Sequence, residues 1–137
     1  METSKPFSRW YSAILMMAVI FIFSSIPSTS LPSFSYADLF VKKGGHMLGY
    51  GLLAISYFYG LGGIPGRTAG ENGNIKILFT APIVLAWIFA VLYALTDEFH
   101  QSFVPGRQAS LVDIGVDAVG AAGMLWLYHL WQKRKAK

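Results

Sequence analysis

Four apolar stretches, separated by segments rich in Ser, Pro, Gly and charge, set the pattern of the chain. The first, at about 10–26 (WYSAILMMAVIFIFSSI), follows Lys5 and Arg9 and ends at Pro27, which cannot extend a helix. The second lies at about 44–62, the third at about 77–96 and the fourth at about 111–131. The third carries no charge and holds Pro82 near its start, where a kink is expected. Stretches near 20 residues match the length an α-helix needs to cross the roughly 30 Å hydrocarbon layer. The pattern therefore predicts an all-α integral membrane bundle of four transmembrane helices forming one domain over 1–137.

The connections are equally patterned. Ser28 to Lys43 is rich in Ser and Pro and carries Phe34, Tyr36, Leu39 and Phe40, which suits a loop resting at a membrane interface. Gly63 to Lys76 (GIPGRTAGENGNIK) reads as a polar, flexible linker, and Glu98 to Ser110 as a short connection. A cleaved signal peptide competes for the first segment, because its core from Ala13 to Phe23 is short and SSIPSTS offers small residues for cleavage.

Basic residues set the orientation. With the N-terminus inside, Lys5, Arg9, Arg67, Lys76, Lys133, Arg134, Lys135 and Lys137 are cytoplasmic, against Lys42, Lys43 and Arg107 outside. Both termini are then cytoplasmic and the protein is a multi-pass component of the cell membrane.

Composition strengthens this reading. Of 137 residues, 54% are hydrophobic and only 13% charged, and the mean hydropathy is +0.47, too apolar for an ordinary soluble domain. With no cysteine, disulfides, thiolate nucleophiles and Cys-ligated metal centres are excluded. The pI near 9.4 does not indicate nucleic acid, since four of eleven basic residues crowd the last five positions as a membrane-surface anchor.

Against this apolar background the ionisable residues converge. In the second span His46, Tyr50, Leu53 and Tyr57 recur on one helical face, with Lys43 one turn earlier. Tyr93, Asp97 and His100 share a face at the end of the third, with Glu98 and Gln101 beside them if the helix reaches that far. Asp113, Asp117, Gly120 and Met124 form a stripe on the fourth, two carboxylates above a glycine that permits close helix approach. Arg107, in the turn-forming VPGRQAS, is placed to fold back over the cluster. An aspartate as deep as Asp117 must face the bundle, pair with a base or be protonated. Its available partners are Lys43, His46, His100 and Arg107. A purely structural polar network competes with a binding or chemical site for the whole cluster.

The run TDEFHQSFVPGRQASLVDIGVDAVG, with Asp97, Glu98, His100, Gln101, Arg107, Asp113, Asp117 and Gly120, resembles the VanZ-like family of membrane proteins. KGGHMLGY, with Lys43, His46 and Tyr50, resembles that family's second-helix motif, and Ser24, Ser25 and Pro27 resemble the end of its first helix. The resemblance spans almost the whole chain and favours retention of the first helix. Two positions depart from the pattern: Ile26 stands where glutamine is often found, and Asp117 where asparagine is frequent. The resemblance implies a place in the cell envelope and a link to resistance to the glycopeptide teicoplanin. It does not imply a defined reaction.

The leading expectation is a site that binds an anionic, phosphate-bearing headgroup from membrane lipids or a lipid-linked cell-wall precursor. Lys43, His46, Tyr50, Asp97, Glu98, His100, Gln101, Arg107, Asp113 and Asp117 are its ligand-binding candidates. The alternative is a membrane-embedded hydrolase or transferase, with His46, Asp97, Glu98 and His100 as catalytic candidates and a carboxylate pair around a divalent metal. Against the alternative, the chain has no HExxH, GxSxG or P-loop. Proton-coupled transport and a plain scaffold are further readings, an oligomer is compatible with all of them, and the sequence specifies no cofactor.

Overall fold

A 3-10 helix, Pro6–Trp10, runs directly into α1 (Tyr11–Ser24), followed by α2 (Ser35–Gly60), α3 (Ile75–Gln101) and α4 (Leu111–Lys135). These elements come from a computed structural model that describes residues 6–27, 35–63 and 75–135, with side chains described for 8–27, 43–63, 81–132 and 134. Among the described residues the fold is entirely helical. Two helical segments, Ala81–Gln101 and Leu111–Gln132, are long and apolar enough to cross a membrane, and Ser8–Ser24 is a shorter apolar helix.

Contacts between elements fix the helix directions. Tyr93 donates to the carbonyl of Met17 at 2.7 Å while Ser24 donates to Asp97 at 2.8 Å, so α1 and α3 run the same way. Lys43 meets Asp113, and a Cβ on Gly51 would meet Met124, so α2 and α4 also run parallel. The ends of α1 and α3 thus gather with the starts of α2 and α4, and this end carries the polar residues. At the opposite end Tyr59 and Tyr128 share a hydrogen bond at 3.1 Å, and Trp10 packs against Tyr57 and Gly60.

The core lies along α2. Tyr50, Leu53, Ala54, Tyr57 and Phe58 are buried, facing Ala86, Ala90 and Ala94 of α3 and Ala121 and Leu125 of α4. Alanines four residues apart on α3 form a smooth stripe that lets the helices approach closely. On the outside the large side chains stay apolar: Leu15 and Phe23 of α1, Leu48 of α2, Leu92 of α3 and Leu127 of α4 are exposed. α1 packs on α2 and α3 but not on α4, so a lateral groove crosses α2 between them.

Two expected boundaries move. α2 begins at Ser35 rather than near 44, so part of the expected interfacial loop is helix; residues 28–34 lie outside the described residues. Ser35 followed three residues later by Asp38 is itself a helix-start pattern, and Leu39, Phe40 and Val41 continue an apolar helix. α3 does not stop at 96 but continues through Asp97, Glu98, His100 and Gln101. Those polar side chains find partners on α1, the following turn and the start of α4, so they extend the helix instead of ending it. Most of the expected 63–76 linker is outside the described residues.

Candidate functional site

The polar end is built around Asp97, which is buried. Its Oδ2 accepts hydrogen bonds from Ser24 Oγ and Gln101 Nε2, both at 2.8 Å, while its Oδ1 has no hydrogen-bond partner. Gln101 also reaches Ser24, and its Oε1 accepts from Arg107 Nη1 at 2.9 Å.

Arg107 is delivered by a tight turn. Val104, Pro105, Gly106 and Arg107 close a hydrogen bond from the Arg107 N–H to the Val104 carbonyl at 3.1 Å, with Gly106 at φ 77°. Proline second and a positive-φ glycine third are what a type II turn requires. The guanidinium then folds onto the end of α1, donating to the carbonyls of Phe23 at 3.0 Å and Ile26 at 3.1 Å. The Phe23 carbonyl, in the last turn of α1, also accepts the Ile26 N–H at 3.3 Å, and a cation at this end is favoured by the helix dipole. One N–H on each of Nη1 and Nη2 remains beyond these bonds.

Glu98 plays the complementary part at α4. It is buried, and its Oε2 accepts the Ser110 N–H at 2.8 Å, immediately before the helix starts. An acid at a helix N-terminus is favoured by the same dipole. Further along, Lys43 Nζ lies 3.2 Å from Asp113 Oδ1, both side chains being partly exposed. His46 Nδ1 stands 3.7 Å from Asp117 Oδ1, beyond hydrogen-bonding range, and both Asp117 oxygens and the Tyr50 hydroxyl are buried without a hydrogen-bond partner.

His100 faces elsewhere. Its ring stacks on Phe21 at 4.5 Å between centroids, and its Nε2 lies 3.1 Å from Ser25 Oγ. Ser25 already donates its only hydroxyl proton to the Phe21 carbonyl at 2.7 Å, so the histidine is the donor in this pair. In that state it is not a base poised to activate Ser25.

The groove across α2 has a volume of about 700 Å³. Its polar end is lined by Lys43, His46, Tyr50, Glu98, Gln101, Arg107, Asp113 and Asp117, eight of the ten expected binding residues. Asp97 and His100 are absent from its wall: Asp97 supports it from behind Ser24 and Gln101, and His100 braces α1. Away from the polar end the walls are apolar, formed by Met16, Val19, Ile20 and Phe23 of α1 and Leu48 and Leu52 of α2. Among the described residues no group of three His, Asp or Glu side chains is placed to hold a metal ion.

The residue pattern does not single out Ser24 or Ser25 as site members, and Ile26 offers no polar side chain at the end of α1. The backbone supplies the polar groups instead, through carbonyls of Phe23 and Ile26 that accept whatever side chain stands there. The SSIP run itself was the available signal. The apolar walls were unreadable as a group, because they come from two helices whose pairing the sequence does not state.

No curated protein and no solved structure matches the chain. A family model described as VanZ/LLP1 matches residues 9–132, from the basic residue before α1 almost to the end of α4, and so includes every polar contact of the groove. The chain belongs to the VanZ/LLP1 family.

Proposed function

We propose that this is a multi-pass protein of the cell membrane that receives a phosphate-bearing lipid or lipid-linked cell-wall precursor headgroup in the groove between α1 and α4. The observation that carries the reading is the division of one cavity into an apolar part, along Met16, Val19, Ile20, Leu48 and Leu52, and a polar end holding Lys43 and Arg107. An amphiphile has that division. Its tail meets side chains that gain from apolar contact, and its phosphate meets two cations with N–H groups to spare.

Four crossings with both termini cytoplasmic belong to the proposal. The exposed apolar side chains on the outer faces of all four helices suit a lipid surround, which a soluble protein avoids in such density. The excess of Lys and Arg in the sequence before α1, between α2 and α3 and at the end of α4 turns the groove outward. In this position the protein engages envelope lipids from the outer leaflet, and an effect on teicoplanin sensitivity follows from its hold on a wall precursor.

The test is native mass spectrometry of detergent-released protein with polyprenyl phosphate against diacylglycerol, comparing wild type with Lys43→Gln. Lys43 is suited to the comparison because it is 41% exposed and its ion pair with Asp113 is a modest contributor to stability. Binding of the phosphate lipid over diacylglycerol, reduced at least fivefold in the variant, supports the proposal. Equal binding of both lipids removes it.

A further inference from the structure

We infer that the inner end of the groove takes a primary ammonium carried beside the lipid's phosphate, an inference that rests on the phosphate-lipid reading proposed above. The headgroup is then a zwitterion, with its phosphate toward Lys43 and Arg107 and its ammonium toward Asp117 and Tyr50.

Two observations lead there. The Asp117 side chain lines the groove, is 1% exposed, and neither of its oxygens accepts a hydrogen bond. Independently, the Tyr50 hydroxyl is equally buried, lines the same groove and also lacks a partner. Buried polar atoms are paired in the great majority of cases, so an unsatisfied carboxylate and phenol facing one cavity mark a place for a donor.

Charge narrows the donor to a cation. Lys43 is matched by Asp113, Glu98 is held by the backbone of Ser110, and Arg107 is held by Gln101 and the α1 carbonyls. Asp97 and Asp117 remain, with His46 3.7 Å from Asp117. A phosphate entering alone adds negative charge to a groove already rich in carboxylates. A headgroup that brings its own ammonium meets Asp117 with charge-assisted N–H bonds and sets a cation against the Tyr50 ring.

The experiment compares phosphatidylethanolamine, phosphatidylglycerol and phosphatidylcholine of identical acyl chains by native mass spectrometry, on wild type, Asp117→Asn and Tyr50→Phe. Both substitutions keep side-chain shape, and Tyr50→Phe removes a hydroxyl that makes no hydrogen bond, so thermal unfolding of both variants is expected near wild type. The inference expects wild type to prefer the ethanolamine lipid at least fivefold over both others. Asp117→Asn brings that preference close to one by weakening binding of the ethanolamine lipid, and Tyr50→Phe lowers the preference about twofold. Equal binding of the three lipids by wild type, or a preference that survives in folded Asp117→Asn, overturns the ammonium site and leaves the phosphate reading standing. Absence of binding by all three overturns the ammonium site, and absence of polyprenyl phosphate binding as well overturns the phosphate reading itself.

Discussion

Arg107 ties together the turn after α3, the last turn of that helix and the end of α1 through three hydrogen bonds. Charged hydrogen bonds are worth about 1.5–3 kcal/mol each when a partner is left behind, and the α1 carbonyls can recover part of that from water. Arg107→Ala is expected to destabilise the protein by about 3 kcal/mol, visible as a lowered Tm in detergent. Arg107→Lys should recover less than half of the loss, because a single ammonium cannot reach three acceptors spread around a planar fork. A Tm unchanged in the alanine variant would show that the α1 end is held by other means. The Pro-Gly pair made the turn legible in the sequence, and with it the return of the guanidinium. Its destination was not legible, since backbone carbonyls of a distant helix leave no residue-type signature. Ser24→Ala offers a second reading at this scale. It leaves Asp97 Oδ2 with Gln101 as its remaining donor, and about 1–2 kcal/mol of destabilisation is expected by thermal unfolding.

Between elements, the crossing of α2 and α4 brings two glycines into close contact, Gly51 and Gly120, of which Gly120 is the tighter. A Cβ on Gly120 would lie 2.5 Å from the Met47 carbonyl oxygen and 2.7 Å from its Cα, both backbone atoms that cannot swing aside. Gly123, one turn along the same helix, has nothing within 4 Å. Gly120→Ala is therefore expected to cost about 1–3 kcal/mol through forced separation of the helices. Gly123→Ala should be neutral or stabilising by up to about 1 kcal/mol, because alanine is the better helix former. Thermal unfolding of the pair decides the matter, and equal effects would contradict the close crossing. The stripe of Asp113, Asp117, Gly120 and Met124 was readable at helical spacing, since three- and four-residue steps mark one face whatever the partner. The lengths of α2 and α3 were less readable. Runs of Ser, Lys and Gly before His46, and of Asp, Glu and His after Thr96, look like helix ends when their partners are unknown.

At the scale of the whole molecule, the helix directions collect polar groups from the ends of α1 and α3 and the starts of α2 and α4 at one end. The apolar stretches made that alternation legible, and the family resemblance fixed the same polar residues. The groove itself was hidden, because it exists only where α1 leans on α2 and α3 without reaching α4. Its outward orientation can be checked directly, since the chain has no cysteine to interfere. In intact cells Ser102→Cys, exposed just past α3, should react with a membrane-impermeant maleimide, whereas Arg134→Cys should react only after permeabilisation. The reverse pattern would place the groove on the cytoplasmic side.

The most direct test of the lipid groove is photo-crosslinking in membranes with a polyprenyl phosphate bearing a diazirine in its chain, followed by peptide mapping. The account predicts that label concentrates on the apolar walls around Met16, Val19, Ile20, Leu48 and Leu52, and that excess unlabelled polyprenyl phosphate competes it away. Label spread evenly over lipid-facing positions such as Leu92 and Leu127, without competition, would contradict it.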